Sequence, residues 1–284
     1  MERIWKESPA NVQIGLVTRV QFSLHSIEFI RVFGLRFLYF LAAAAGLATS
    51  VDAAPDAEAF RFFEAGDGDA VIEVADRLGG AENAALAARA LNARAYLEPD
   101  DSEARNIADR ALEYAEAAME ADPALVEGRL QGAIALAQRG ARMAPWRAFF
   151  LKIADRARDA LDLALEMEPE NAWALSSSAA WHLEVSRCGG EGRFGSDPEF
   201  GHRQFLAARD ADPDNLLIAY ECALRLIAYD REEWRADAMA ALQMATSATP
   251  ENTFEAAVQS RAHRLRKAIE SGREAERAFI DEQP

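Results

Sequence analysis

The chain has 284 residues, of which half are apolar and 27% are charged, a composition typical of a folded globular protein. The 47 acidic residues outnumber the 31 basic residues, and the net charge is −16 at neutral pH. A chain this acidic has too few cations to displace the counterions of a phosphate backbone, which excludes a general nucleic-acid-binding protein.

The first pattern along the chain is that of a leader segment. Arg31 and Arg36 precede the uncharged run Phe37–Val51, which is shorter than the roughly 20 residues of a membrane-spanning helix. A basic flank, a short apolar run and a small-residue end are typical of a secretory signal peptide. We predict an N-terminal extension and signal peptide over residues 1–54, cleaved at one of the two alanines before Pro55, and a periplasmic location for the remainder. The alternative is an uncleaved leader, which is the only contact with a membrane that we expect.

The remainder, residues 55–284, is predicted to be helical. It carries a net charge of −17, because five of the basic and four of the acidic residues precede residue 54. Alanine, leucine, glutamate and arginine dominate it, and these residues favour helix. Four prolines follow the same pattern at offsets of 12, 8 and 5 residues: Ala111, Ala115 and Ala118 before Pro123; Ala157, Leu161 and Ala164 before Pro169; Gly201, Phe205 and Ala208 before Pro213; and Ala238, Leu242 and Ala245 before Pro250. Since proline cannot continue a helix, each marks a turn after a helix that packs closely through small residues.

This spacing resembles the second helix of a tetratricopeptide repeat, in which small, larger and alanine positions precede a closing proline. Pro99 closes a weaker copy of the same second helix, with Arg94 at the alanine position. The resemblance implies an all-α solenoid of four to five antiparallel helix pairs over residues 55–284, ending in a capping helix. Because such arrays serve many functions, the fold alone assigns none.

Two inserted loops interrupt the predicted repeats. Two successive spacings between closing prolines are 46 and 44 residues, against a family period of about 34. We place the insertions at residues 138–147 and 187–196, between the first and second helix of consecutive repeats. Stacking of the repeats would bring both loops to one edge, and such loops often carry function. Pro145 is expected to open a helix, and Ser196–Glu199 to form a capping box.

No catalytic, metal or cofactor site is predicted. Gly190–Gly195 matches the glycine spacing of a dinucleotide-binding loop. It follows a predicted helix, however, whereas that motif must follow a strand. A flexible loop and an anion site at a helix N-terminus are the remaining alternatives for it. His182 and Glu184 match half of a zinc deaminase motif whose cysteine half is missing, so His182 is expected to be a packed helix residue. Cys188 and Cys222 are expected about 15 Å apart along neighbouring helices, too far for a disulfide, and we predict two free, mostly buried thiols.

Candidate binding residues lie on the predicted first helices. Two stripes there have helical spacing: Trp173, Ser176, Ala180 and Glu184 on one helix, and Leu217, Tyr220, Leu224 and Ile227 on the next. In tetratricopeptide proteins this face lines the concave groove, which indicates Trp173, Glu184 and Tyr220 as partner or ligand residues. The alternative is ordinary core packing, which accounts for most aromatic stripes at helical spacing.

Basic residues cluster in or beside the two loops of this acidic domain: Arg139, Arg142, Arg147, Arg187 and Arg193. Trp146 and Phe194 accompany them, and arginine with aromatic residues is typical of contact hot spots. We expect Arg139, Arg142, Arg187 and Arg193 to bind a partner or ligand; the alternative is that they pair with local Asp and Glu. On the first interpretation, Arg142→Glu and Arg193→Glu abolish binding without lowering the melting temperature, and unchanged binding contradicts it.

The preferred function is a non-catalytic, exported scaffold that binds a partner protein through the groove and the arginine-bearing edge. The alternative is a small-molecule-binding accessory of a solute transporter. Irregular repeats, long loops and a secretory leader are similar to the tetratricopeptide T-component of TRAP transporters, which implies an organic acid or apolar ligand. Residues 181–185, followed by a glycine-rich loop, also resemble the repeat domain of the regulator-of-microtubule-dynamics family. No cysteine precedes Cys188, so the leader has no bacterial lipidation site.

Overall fold

The computed structural model of the protein describes residues 54–283. The predicted signal peptide therefore lies outside the described residues. Residues 54–283 belong to one compact unit with its own hydrophobic core, which makes the fragment 54–284 a suitable object for experiments. No helix in this part of the chain is long and apolar enough to cross a membrane.

The described residues form thirteen α-helices and two short 3-10 turns, with no strand, which confirms the predicted all-α helical-repeat fold. The helices are α1 Ala57–Glu64, α2 Gly68–Leu78, α3 Ala81–Leu97, α4 Asp101–Ala121, α5 Val126–Ala141, α6 Pro145–Phe150, α7 Ile153–Met167, α8 Ala172–Gly189, α9 Pro198–Ala211, α10 Leu216–Tyr229, α11 Arg235–Ser247, α12 Thr253–Glu270 and α13 Arg273–Asp281. The 3-10 turns are Arg193–Gly195 and Glu232–Trp234.

Three of the turns between pairs share a Pro-x-Asn sequence in which the asparagine caps the next helix. The Oδ1 atoms of Asn171, Asn215 and Asn252 accept backbone N–H groups of the first helical turn, at distances of 2.9, 3.1 and 2.9 Å. These side chains satisfy donors that the helix itself leaves unpaired. The proline ends one helix and the asparagine two residues later begins the next, so the pair boundaries are set locally.

The helices pack as consecutive pairs. The first helices α3, α5, α8, α10 and α12 form an inner layer, and each packs on its own second helix, α4, α7, α9, α11 or α13. Each of α4, α7, α9 and α11 also contacts the first helix of the next pair, as in a solenoid. With the short pair α1–α2 in front, the described chain has six pairs, one more than the upper bound of the prediction.

The interpretation of Pro99 is wrong. Pro99 lies in the turn between α3 and α4, within a pair, whereas it was expected to close a second helix. Helix α3 is a first helix, because it packs on α5 in the inner layer as well as on α4. The closing prolines that follow Ala118, Ala164, Ala208 and Ala245 do end second helices, and all four alanines are fully buried.

The two inserted connections differ in length from the predicted loops. Helix α5 continues to Ala141 and α8 to Gly189, so both connections begin later than expected. Pro145 does open a helix, the six-residue α6. The cap of α9 is Asp197, whose side chain accepts the N–H of Phe200 at 3.0 Å, and not Ser196.

Both inserted connections lie on one edge, as predicted from the stacking of the repeats. The ring of Phe149 in the first contacts that of Phe194 in the second, with centroids 6.3 Å apart. Arg158 on α7 donates to the carbonyl oxygen of Phe194 at 2.6 Å, which fixes the second connection to the preceding repeat.

Helix α13 closes the end of the array through a buried carboxylate. Glu276 is 2% exposed and accepts hydrogen bonds from Arg235 on α11 and from Arg273. Burial opposes ionisation of Glu276, but the two arginines outweigh it and lower its pKa below the ordinary 4.5.

Replacing Gly201 by alanine is expected to destabilise the domain. A Cβ at Gly201 would lie 2.9 Å from the Cβ of His182 and 3.0 Å from the carbonyl oxygen of Ala179, so α8 and α9 must move apart. We expect a loss of about 1–3 kcal/mol in the free energy of unfolding. The matched control is Gly132→Ala on α5, where the new Cβ meets Ala115 at an ordinary 3.6 Å, and stability is unchanged or rises by up to about 1 kcal/mol. Equal melting temperatures for both variants would contradict this packing.

The Glu276 contacts predict a pH-dependent contribution to stability. Because the pKa is lower in the folded than in the unfolded state, the contribution is present above the ordinary carboxyl value and is lost as the pH falls through the folded value. Glu276→Gln should cost about 1–3 kcal/mol at pH 7 and progressively less below pH 4.5. Thermal unfolding of both proteins across this range measures the difference, and a pH-independent difference is the contrary result.

Candidate functional site

The inner helices surround a cavity of about 1440 Å³. Its walls come from α3, α5, α8, α10 and α12, and the two inserted connections form part of its rim. Ligand sites for small molecules are usually about 300–1,000 Å³. The cavity is therefore large enough for a small molecule of considerable size together with water.

Tyr96, at the end of α3, closes the cavity by reaching across to later repeats. Its hydroxyl donates to a carboxylate oxygen of Glu221 on α10. Its backbone carbonyl oxygen accepts a hydrogen bond from Arg261 on α12 at 3.1 Å, and the Arg261 guanidinium lies 4.9 Å from the centre of its ring. Phe254, also on α12, packs edge-on against the same ring. These contacts join the pair α3–α4 to the pairs α10–α11 and α12–α13. The groove expected from the sequence is therefore a cavity that is closed on one side.

A line of alternating charges continues from Glu221 along the wall. Arg225 donates to Glu221 at 3.0 Å and to Glu184 on α8 at 3.4 Å. Arg187 donates to Glu184 at 3.1 Å. We call Tyr96, Glu184, Arg187, Glu221, Arg225 and Arg261 the clasp network.

The protonation of the clasp network follows from these pairs. Burial disfavours the charged form of Arg225, but Glu221 and Glu184 outweigh it and raise its pKa. Burial opposes ionisation of Glu184, yet its hydrogen bond from Arg187 and the charge of Arg225 lower its pKa. Burial and the neighbouring Glu221 raise the pKa of Tyr96, so its hydroxyl keeps the proton that it donates.

Arg89 on α3 is the cation in the cavity best prepared for a ligand. Its guanidinium carbon lies 5.1 Å from the ring centre of Phe63 and 5.1 Å from that of Trp173. Glu127 is 3.8 Å away, beyond hydrogen-bond distance, and the guanidinium makes no hydrogen bond to any described residue. Two aromatic rings thus lie against the guanidinium, while its N–H groups keep their capacity to donate hydrogen bonds.

Sequence reasoning missed Arg89 and found one of its partners. Trp173 was selected from the helical stripe of α8, and it does line the cavity. Arg89 carried no such signal, because it stands in an alanine-rich helix, α3, whose role as a first helix was misassigned.

Of the other stripe residues, Glu184 lines the cavity and Tyr220 does not. Tyr220 is fully buried in the core between α10 and its neighbours, and its hydroxyl has no hydrogen-bond partner among the described residues. The face of α10 that lines the cavity carries Leu217, Glu221 and Arg225. Tyr220, Leu224 and Ile227 of the apolar stripe therefore fill the core, whereas Leu217 lines the cavity together with Glu221 and Arg225.

Three of the four predicted binding arginines are engaged within the fold. Arg139 pairs with Asp109 at 2.9 Å, and Arg187 belongs to the clasp network. Arg142 is 8% exposed and donates to the carbonyl oxygen of Ala95 at 3.2 Å, so the expectation of an exposed loop residue is wrong. Burial lowers its pKa from the ordinary arginine value. Arg193 alone of the four is exposed and forms no ion pair with a described residue.

The remaining predicted features have structural roles. His182 is buried, and its Nδ1 accepts the N–H of Asp197 at 3.0 Å, as expected of a packed residue. Gly190, Gly192 and Gly195 have positive φ angles in the connection before α9, a conformation that glycine adopts without strain. Between residues 54 and 283, no group of three or more His, Cys, Asp or Glu side chains is arranged to hold a metal ion.

Both cysteines are free, as predicted, but their exposure differs. Cys222 is buried, and burial raises its pKa to about 12. Cys188 is exposed at the cavity wall, against the expectation of a buried thiol. Burial and the adjacent Glu184 raise the pKa of Cys188, which disfavours the reactive thiolate.

The different surroundings of Arg142 and Arg193 predict different effects on stability. Arg142→Ala removes a buried donor from the Ala95 carbonyl oxygen and should cost about 1–3 kcal/mol of unfolding free energy. Arg193→Ala, at an exposed position, should change it by less than about 0.5 kcal/mol. Urea unfolding of the two variants measures both values. An Arg142 variant as stable as the parent protein would show that the buried contact is dispensable.

Comparison with known proteins adds no assignment to this geometry. No model of a protein family and no curated protein sequence matches the chain. Membership of the tetratricopeptide family remains a prediction from the proline-closed pattern, and the choice among functions rests on the cavity and on the side chains that line it.

Proposed function

We propose that the protein is a non-catalytic binding protein for an organic acid with an apolar body, held in the cavity of the inner helices. The observation that supports this most directly is Arg89, whose guanidinium lies against two aromatic rings and has a single long ion pair, with Glu127, and no hydrogen bond among the described residues. A carboxylate can accept two parallel hydrogen bonds from such a guanidinium.

The aromatic rings favour an anionic ligand at this position. Phe63 and Trp173 fix the plane of the guanidinium, so little side-chain entropy is lost when a ligand binds. The nearest carboxylate, Glu127, is too distant to satisfy its donors. A ligand carboxylate would therefore gain charge-assisted hydrogen bonds without displacing an existing one.

The cavity walls favour an apolar body. Ile134 on α5, Ala180 and Val185 on α8, and Leu217 on α10 line the cavity together with Phe254 on α12. Contact with these groups removes apolar ligand surface from water, which contributes about 25 cal/mol for each Å² buried. A ligand whose carboxylate binds Arg89 and whose apolar part lies along these helices is an amphipathic acid.

Binding without catalysis fits the groups at the wall. Cys188 is a thiol in the described lining, and its raised pKa disfavours the thiolate that would act as a nucleophile. His182, the histidine nearest to it in sequence, is buried and uses its Nδ1 to accept the Asp197 N–H. Nucleophilic catalysis requires a base next to the nucleophile. His182 does not supply that base, because its Nδ1 already accepts the Asp197 N–H.

The cellular role in this proposal is that of an exported accessory to a solute transporter. It combines the predicted leader with the cavity, and it places the protein in the periplasm as a carrier of the acid. The partner-protein scaffold is the second candidate. It has less support, because Arg139, Arg142 and Arg187 already have partners within the fold.

Calorimetric titration of residues 54–284 with dodecanoate and dodecan-1-ol tests the anion preference. These probes share an apolar chain and differ in the carboxylate. We expect dodecanoate to bind about tenfold more tightly or better, because the Arg89 hydrogen bonds form only with the charged end. Arg89→Gln should remove this preference by weakening dodecanoate binding, while the affinity for dodecan-1-ol stays the same.

The control is Arg94→Gln, which changes a second arginine of the cavity lining that already pairs with Asp69 at 3.2 Å. It should keep the preference for dodecanoate. Equal affinities of the parent fragment for the two probes, or an unchanged preference in the Arg89 variant, would refute the proposed carboxylate site.

A further inference from the structure

The edge formed by the two inserted connections carries an exposed apolar and basic patch. We define the rim patch as Arg147, Phe149, Phe150, Leu151, Lys152, Arg193 and Phe194. Phe149, Phe150 and Leu151 are consecutive and are 56%, 74% and 38% exposed. Of the other large apolar side chains with such exposure in the described chain, Phe60, Leu78 and Phe200 lie on three different helices, and Leu163 and Met167 form one pair on α7. The rim patch is therefore the main concentration of exposed apolar surface on the domain.

The sequence of the first connection and of the helix before it has a charge opposite to that of the domain. The segment 128–154 contains no Asp or Glu and five basic residues, in a domain whose net charge is −17 once residues 1–53 are set apart. Two of the five, Arg147 and Lys152, are exposed and form no ion pair with a described residue. Arg193 adds a third such cation from the second connection.

The backbone holds the apolar side chains outward. Helix α6 ends at Phe150, and Lys152 follows with a φ of 51°, in the left-handed region that non-glycine residues seldom adopt. This turn leads into α7, whose first residue, Ile153, is buried. The Phe149–Leu151 tip thus lies between a short helix and a helix whose first residue is buried in the core.

We propose that the rim patch docks on the surface of a membrane that contains anionic lipids. Aromatic side chains insert at the boundary of headgroups and acyl chains, and neighbouring cations attract the lipid phosphates. The negative charge of the rest of the domain does not prevent this, because charges more than about 10 Å away are screened at physiological salt. This surface is separate from the leader, which was the only membrane contact expected from the sequence.

A bilayer fits the rim patch better than a protein partner does. The tip consists of three consecutive exposed apolar residues with a cation on either side in the sequence, and insertion into a bilayer needs no matching pocket. Protein hot spots, in contrast, are usually packed into complementary pockets within a larger interface. The charge complementarity is with a surface of many phosphates, since the three cations come from two separate connections.

Flotation of residues 54–284 with phosphatidylcholine vesicles, with and without about 30 mol% phosphatidylglycerol, tests this inference. We expect binding at least about tenfold stronger with phosphatidylglycerol, falling as salt rises, because the cations act through screened attraction. The double variant Phe150→Ser with Leu151→Ser, and the double variant Arg147→Gln with Lys152→Gln, should each weaken binding about tenfold.

The matched control is Leu78→Ser with Leu163→Ser, which removes two apolar side chains of 46% and 43% exposure outside the rim patch. It should bind vesicles like the parent fragment, and all variants should melt at similar temperatures because the altered positions are exposed. Three results would each overturn the inference: no flotation at low salt, equal loss in the control and rim variants, or capture by polyglutamate with no binding to vesicles.

Discussion

The architecture of the cavity depends on the contacts of Tyr96 with helices more than a hundred residues later. The solenoid brings the end of α3 beside α10 and α12, and Tyr96 uses its hydroxyl, its carbonyl oxygen and its ring there. A helical array without such contacts would be an open groove. With them, the inner faces of five helices surround a common space, and the apolar walls and Arg89 are part of the same enclosure.

The clasp network shows how charged side chains are accommodated at this wall. Taking Arg225 out of water is costly, and the cost is offset because it faces two carboxylates, Glu221 and Glu184. Such a chain of pairs contributes modest net stability, but the loss of one member leaves the others desolvated without a partner. The network therefore fixes which faces of α8 and α10 turn to the cavity.

The two inserted connections have a different role from the helices. They are excluded from the regular packing, and the contact of Phe149 with Phe194 holds them together at the rim of the cavity. Regular repeats supply a rigid enclosure, while irregular connections supply exposed apolar and basic groups. The cavity and the rim patch thus adjoin: Phe149, Lys152, Arg193 and Phe194 belong to both, whereas Arg147, Phe150 and Leu151 belong to the rim patch and not to the cavity lining.

The sequence by itself determined the all-α fold, the ends of four second helices and the placement of two insertions on one edge. These features are local: proline stops a helix, asparagine begins the next, and small residues recur on one face. Only the tertiary structure decided which face each helix presents. Tyr220 and Glu221 are adjacent in sequence and differ by about 100° around α10, so one fills the core and the other lines the cavity. Arg142 is buried and Arg89 lies against Trp173 for the same physical reason, because the partners of a side chain come from helices that only the superhelical stacking brings together.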